Sequence, residues 1–317
     1  MARARPGLDD PSRADRDRDA REGGVRSEGH APLLRLAGAH GRHGGGRDRD
    51  RAGSRDPRSR RDPRAQASPW RAVLKRAFVT GAAAGLGLSI GDRLKAEGWE
   101  VIGLDRDAGD HVRIRADLSS PDGTDRALKE AAASGPYDLV VLNAGISATG
   151  RFEEIDAEAH RRVLAVNAEA AMVLANGLVR ASSVLKGGSI VFVSSLSHFV
   201  GYPGAASYAA SKSAIAIYAQ SLRKPLKRRG IAVTLVCPGP LRTGQAARHA
   251  PEGAKAEARM APEIAAAAIL SAVSGKRFLV TPGLAARGSM LFGRLAPGLA
   301  SRAMRRLIYD RLDRPVW

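Results

Sequence analysis

The chain reads as an α/β protein built on one doubly wound parallel sheet, with helices on both faces. Three observations predict this. Short apolar runs alternate with helical stretches from Lys75 onward. A glycine-rich turn joins the first run to the first helical stretch. An acidic residue, Asp105, closes the second run.

The elements follow in order. "RAFVT" is a short apolar run that reads as a buried strand, and a helical stretch, Leu86 to Glu97, follows its glycine turn. "EVIGLD" is the second strand and "VRIRADL" the third. Pro121 to Ser134 reads as helix and "YDLVVLNAG" as the fourth strand. A long helical region runs to about Leu185, before the strand "SIVFVSS". The helix carrying Tyr208 comes next, then the strand "IAVTLVCPG". "PEIAAAAILSAVSG" is a further helix and "RFLV" a last strand. Right-handed crossovers then cover both faces of the sheet. A nucleotide site belongs at the carboxyl ends of its strands.

Composition divides the 317 residues unevenly. Residues 1–70 hold seventeen Arg, no Lys and eleven Asp plus Glu, a net +6, which leaves +13 of the total +19 to residues 71–317. Stretches such as "RADRDRDAREGG" bury too little apolar area to offset ordering entropy. We expect residues 1–70 to be a disordered tail, 73–281 one Rossmann-type domain, and 282–317 a basic amphipathic helical extension. An Arg-rich nucleic-acid arm is the alternative reading of the tail. Alternating Asp residues cancel much of its field, and no aromatic residues interleave for stacking, so no nucleic acid is expected. "VLKRAFVTG" at Val73 also reads as a natural opening of the domain. The residues before it are then upstream sequence read from an early start codon, and that reading stays open. The single cysteine, Cys237, cannot form an internal disulfide. The longest apolar run, Ile264 to Val273, is too short to cross a bilayer. A cytoplasmic location is the expectation.

"VTGAAAGLG" places Gly81, Gly85 and Gly87 between the first strand and its helix. Glycines let backbone approach a pyrophosphate, which then sits at the helix N-terminus. Asp105 lies eighteen residues beyond Gly87, about where a ribose-binding carboxylate is expected. The context therefore predicts dinucleotide binding. Farther on, "SYAASKSAIAIYAQSLRKPL" sets Tyr208 four residues before Lys212, on one helix face. Such a pair is either ordinary surface or a phenol and an ammonium placed for chemistry.

Six motifs in order resemble the short-chain dehydrogenase/reductase family, from about Lys75 to Val280. T-G-x-x-x-G-x-G spans Thr80 to Gly87, including Leu86. N-A-G is Asn143, Ala144 and Gly145, and Asn167 stands in the long helix. Ser195 lies thirteen residues before the tyrosine of Y-x-x-x-K, which is Tyr208 with Lys212. P-G with a later threonine is Pro238, Gly239 and Thr243. The resemblance implies an oxidoreductase moving a hydride between a nicotinamide cofactor and an alcohol/ketone pair. It implies Asn167, Ser195, Tyr208 and Lys212 as the catalytic set. Thr80, Gly81, Gly85, Leu86, Gly87, Asp105, Asp117, Asn143, Ala144, Gly145, Pro238, Gly239 and Thr243 would contact cofactor, together with Tyr208 and Lys212. Tyr208 would be the general acid/base, and the lysine one turn away would lower its pKa. Ser195 would hold the substrate oxygen. Ser194 and Ser197 are alternatives for that role, and His198 is more simply a loop residue. No metal is expected.

A carboxylate at Asp105 suits both ribose hydroxyls of NAD and repels a 2′-phosphate, so NAD is the expected cofactor and NADP the less favoured one. Arg106 is the feature that could rescue NADP. Phe199 and Tyr202 are candidates for the substrate entrance. Leu299, Ala303, Leu307, Ile308 and Leu312, among Arg302, Arg305, Arg306 and Arg311, suggest an apolar substrate and peripheral membrane contact through 284–317. A homodimer or homotetramer pairing the helices of Asn167 and Tyr208 is the expected assembly. A catalytically silent NAD-binding sensor and an Arg-rich nucleic-acid-binding protein are the alternatives in other functional classes.

Overall fold

The structure is a computed structural model, described here for residues 74–250, 253–312 and 315–317. The expected disordered tail lies outside the described residues. Seven strands form one parallel sheet in the order β3-β2-β1-β4-β5-β6-β7. They are β1 (Arg76–Thr80), β2 (Glu100–Asp105), β3 (Val112–Arg115), β4 (Tyr137–Leu142), β5 (Val184–Val193), β6 (Ala232–Val236) and β7 (Leu279–Val280). The order reverses direction between β1 and β4, which opens a crevice at their carboxyl ends.

Burial explains the strand sequences. Phe78, Val140, Ile190 and Phe192 point into one apolar layer, and Val79, Val141, Val191 and Val236 point into the other. With both faces covered, the strands have no reason to alternate polar residues, and they read as continuous apolar runs. Helices α1 (Gly85–Ala96) and α8 (Pro262–Ser274) pack together over the second layer through Ile90, Leu94, Ala265 and Ile269. Helices α2 (Pro121–Ser134), α4 (Ala170–Arg180) and α6 (Ala206–Arg228) cover the first, through Ala127, Leu174, Leu178 and Ile215. The start of α2 is set locally: Ser120 Oγ accepts from Gly123 N, and Pro121 occupies the first turn.

The long helical region differs from its sequence reading in two ways. It ends at Arg180, not near Leu185, and Ser182 takes a φ of +55°. It is also interrupted. Helix α3 (Ala157–Leu164) passes into a π turn over Ala165–Glu169 before α4 resumes. By length and composition the helical stretch Ala157–Arg180 could cross a membrane, yet half of it is buried inside the domain. The remaining helices are α5 (Ser197–Val200), α7 (Gly244–Arg248), α9 (Leu284–Leu295) and α10 (Pro297–Leu307). The chain then returns to the sheet end, where Val316 and Thr149 exchange two backbone hydrogen bonds.

Candidate active site

The loop after β1 is shaped by what cannot fit there. A Cβ on Gly87 would lie 1.9 Å from the carbonyl oxygen of Gly81, so only glycine lets α1 start so close to the strand. Gly81 itself holds a φ of +71°, a conformation open to glycine at little cost. The N-cap of α1 is Ala84, whose side chain caps nothing, so the first-turn N–H groups face the crevice unpaired by any capping side chain. This cradle suits a pyrophosphate, as the dipole and the free donors both favour an anion there.

Thr80 ties the cradle to the neighbouring strand end. Its Oγ1 accepts from Asn143 N at 3.0 Å and Ala144 N at 2.9 Å. Asn143 Nδ2 donates to Thr80 O at 3.0 Å. The N-A-G segment is thus fixed to β1 by a buried threonine, and Gly145 continues it toward Asn167 and Lys212. Thr243 sits beside Gly85 and caps α7, its Oγ1 accepting from Ala246 N at 3.2 Å. Pro238 O accepts from Leu196 N, which ties the P-G segment to the loop carrying Ser195, and Gly239 lies against Leu196. Leu86 is buried in the first turn of α1.

At the end of β2, Asp105 is engaged within the protein. Its Oδ2 accepts from Ala83 N at 3.0 Å and its Oδ1 from Asp107 N at 3.1 Å. Two arginines flank it: Arg106 follows in sequence, and Arg115 is its partner across β2 and β3 and donates to Arg106 O. Both guanidinium groups are exposed. Asp117 stands farther along, where the N–H of Ser119 and then Arg106 hold its carboxyl below the usual range.

The predicted catalytic set converges on the far side of the crevice. The π turn projects Asn167 inward, where it is 1% exposed. Such one-turn bulges re-aim a side chain without ending the helix. Asn167 Oδ1 accepts from Ile146 N at 2.8 Å, and Nδ2 donates to Ile146 O and to Ser211 Oγ, each at 2.9 Å. Lys212 is 4% exposed and its Nζ donates to Val193 O at 3.0 Å. Burial lowers its pKa to about 8. The same Nζ lies 5.9 Å from the centre of the Tyr208 ring. Tyr208 is half-buried, and burial raises its pKa, while the hydrogen bond with Ser195 pulls it down. Lys212 is turned to Val193 O, and a phenol held above its ordinary pKa by burial is protonated at neutral pH.

Several neighbours complete the site, among them Ser211, Thr149 and His249, which the sequence reading missed. Ser194, weighed as an alternative to Ser195, instead donates to Lys212 O at 2.7 Å and is buried. Ser211 links Asn167 to the helix of Tyr208, donating to Tyr208 O at 2.7 Å. Thr149 Oγ1 lies 3.0 Å from His249 Nδ1 and joins α7 to the N-A-G side. His198 turns to Ser213 at 3.3 Å, and burial and Arg294 lower its pKa. Cys237 lies wholly in the core, with its thiol pushed up to about 11 by burial. Tyr202 does reach the site, its ring centre 6.4 Å from that of Tyr208. Among the described residues no cluster of His, Cys, Asp or Glu could hold a metal ion.

An anion cradle at a strand–helix turn, with buried Asn167 and Lys212 beside half-buried Ser195 and Tyr208, defines a nicotinamide-dependent oxidoreductase. The short chain dehydrogenase family model matches residues 75–253, and the chain belongs to that family. Its activity is the NAD(P)-dependent interconversion of alcohols and ketones. The chain is 30% identical over 171 residues to the 3-oxoacyl-[acyl-carrier-protein] reductase MabA of Mycobacterium tuberculosis, covering 53% of this chain and 69% of that one. It is 32% identical over 224 residues to 1-deoxy-11-beta-hydroxypentalenate dehydrogenase of Streptomyces exfoliatus, covering 64% and 81%. Among solved structures it is similar to a short chain dehydrogenase from Burkholderia cenocepacia in complex with NADP. The TM-score is 0.61 at 26% identity, over 74% of this chain and 97% of that one. A short-chain dehydrogenase from Sphingobium yanoikuyae in complex with NADPH gives 0.59 at 25%, over 72% and 96%.

These relatives correct the expectation that NAD is favoured over NADP. Both structures hold the phosphorylated cofactor. The physical reason lies at the end of β2. The Asp105 carboxylate already accepts two backbone N–H groups, Arg115 is its neighbour across β2 and β3, and Arg106 is exposed with its guanidinium 3.6 Å from Asp107. A lone acidic residue in sequence gave no view of Arg115, which a neighbouring strand supplies.

Proposed function

We propose that the chain reduces a lipophilic ketone with NADPH, or oxidises the matching alcohol with NADP, and that Tyr208 carries the proton. The bound cofactor would supply or accept the hydride at the carbon. Thr80, Gly81, Gly85, Leu86, Gly87 and the Asn143–Gly145 segment would hold it, with Asp105 and Asp117 toward the adenosine end and Pro238, Gly239 and Thr243 toward the nicotinamide end. Arg106 and Arg115 would take the 2′-phosphate, since guanidinium matches its geometry.

The protein's own chemistry is proton transfer. In ketone reduction the Tyr208 hydroxyl would donate its proton to the substrate oxygen, for which a pKa raised by burial suits an acid. Ser195 would hydrogen-bond the same oxygen as charge develops on it. Lys212, with its pKa lowered to about 8, would help return a proton to Tyr208, drawn from solvent through a water that Asn167 would hold. The observation that carries the reading is the convergence of buried Asn167 and Lys212 on a half-buried tyrosine beside Ser195. The apolar character of the substrate is supported by Phe199 and Tyr202 at the entrance and by the apolar residues of 284–317, which we read as neighbours of a lipid surface. Exposed Ile217 on α6 and Leu164 on α3 support a homo-oligomer formed by these helices.

The test is a panel of ketones and alcohols with NADP(H) and NAD(H), followed by the absorbance of reduced nicotinamide. Turnover of apolar ketones with NADPH is the expected result. Activity restricted to sugars, or better efficiency with NADH throughout, would refute the proposal.

A further inference from the structure

Helix α9 is built the wrong way round for a helix that serves only to pack. Its buried residues are the small ones, Ala286 and Gly293. They face the domain: a Cβ on Gly293 would come within 2.6 Å of Phe199 O and of Val200 Cγ1, and Ala286 Cβ lies against Gly239. At 100° per residue, Leu284, Leu291 and Leu295 fall on the opposite side. They are 82%, 55% and 77% exposed, and Phe292 beside them is 44% exposed. Leu299 and Leu307 on α10 are exposed as well. An ordinary surface helix turns its leucines inward.

Charge accompanies this apolar face. Between Leu284 and Leu307 stand Arg287, Arg294, Arg302, Arg305 and Arg306, and no acidic residue. All five are exposed. On α10 the buried residue is Ala300, and Arg302, Arg305 and Arg306 lie on the outer half of the helix. Arg305 has one long ion pair, 3.9 Å to Asp310. Location adds the third observation. The Arg294 guanidinium lies 4.8 Å over the Phe199 ring, and Phe199 belongs to α5, the helix that follows Ser195. The inner side of α9 thus roofs the candidate site, while its leucines point away.

We propose that α9 and α10 form a docking surface for an anionic lipid bilayer. The leucines and Phe292 would enter the acyl boundary while the arginines pair with phosphate groups. A lipophilic ketone could then pass from bilayer to site around α9. The route of the substrate rests on the oxidoreductase reading; the docking itself does not. A second copy is a poorer occupant, because a symmetric contact would set five arginines against five.

Full-length protein would be floated with vesicles of phosphatidylcholine alone and of phosphatidylcholine with phosphatidylserine. The expected result is partitioning at least about tenfold stronger on the anionic vesicles, weakening with salt. Leu291→Ser with Leu295→Ser should lose about tenfold or more of that binding. These side chains are exposed, so the variant should keep its fold and its turnover of a water-soluble ketone. Arg302→Glu with Arg305→Glu and Arg306→Glu should lose the preference for anionic lipid. Equal binding to both vesicles would overturn the proposal. So would a leucine variant that binds like wild type, which would place the binding in the arginines of residues 1–70. A leucine variant that loses a dimer in light scattering, with vesicle binding unchanged, would assign the face to a second copy. Failure to turn over any ketone, with vesicle binding intact, would sink the oxidoreductase reading and leave the docking standing.

Discussion

Replacing Lys212 by methionine should stabilise the ligand-free protein, although the lysine belongs to the candidate catalytic set. Lys212 is 4% exposed, and burial moves its pKa from 10.5 to about 8. The unfolded chain holds the proton up to the ordinary value, while the folded chain releases it at about 8. Between these values the unfolded state binds more protons, so stability rises with pH across that window. The buried cation costs about 3 kcal/mol at pH 7 and about 2 kcal/mol at pH 9, since each pH step between the two pKa values is worth about 1.36 kcal/mol. The bond to Val193 O returns about 1.5 kcal/mol or more, the range for charged hydrogen bonds. Lys212→Met should therefore gain roughly 1 kcal/mol at pH 7, and that gain should shrink by about 1 kcal/mol by pH 9. Cys237, with its pKa raised to about 11, acts in the opposite sense above pH 9, and it does so in both proteins. Urea unfolding at pH 7, 8 and 9 without cofactor measures the difference directly. Stabilities of wild type and variant that run parallel over this range would show that Lys212 carries no such penalty.

Gly87→Ala should abolish cofactor binding, because the new Cβ would sit 1.9 Å from Gly81 O and must displace the cradle; a fluorescence titration with NADPH checks it. Arg106→Ala with Arg115→Ala should raise the KM for NADPH about tenfold or more and leave that for NADH nearly unchanged, the signature of a lost charge-assisted contact. Steady-state kinetics with both cofactors decide it. Ser211→Ala should leave the Asn167 amide with one donor unpaired and cost about 1–3 kcal/mol in thermal or urea unfolding.

Much of this site was legible in sequence because its parts are local. The glycine turn, Tyr208 with Lys212, and N-A-G are each short segments whose spacing reports backbone shape directly. The sheet was legible for the same reason, since strands buried on both faces appear as apolar runs. What sequence hid was created by crossing distant segments. Arg115 becomes a neighbour of Asp105 only through the pairing of β2 with β3. Thr149 meets His249 across a hundred residues, and Ser211 meets Asn167 across two helices. The π turn at Asn167 left no mark either, because Ala165–Glu169 is an ordinary helical composition. On the C-terminal helices, periodicity grouped Leu299 with Ile308 and Leu312. The last two instead pack on Gly204, and the exposed stripe is that of α9.

In the proposed mechanism Tyr208 carries the proton while the rest of the site binds and orients. The most direct measurement sets the turnover of Tyr208→Phe beside its affinity for NADPH, under one set of conditions. A loss of turnover of at least about a hundredfold, the usual worth of a positioned acid, is expected, with the dissociation constant nearly unchanged. A variant that keeps a tenth of the wild-type rate, or that loses cofactor binding along with turnover, would contradict it.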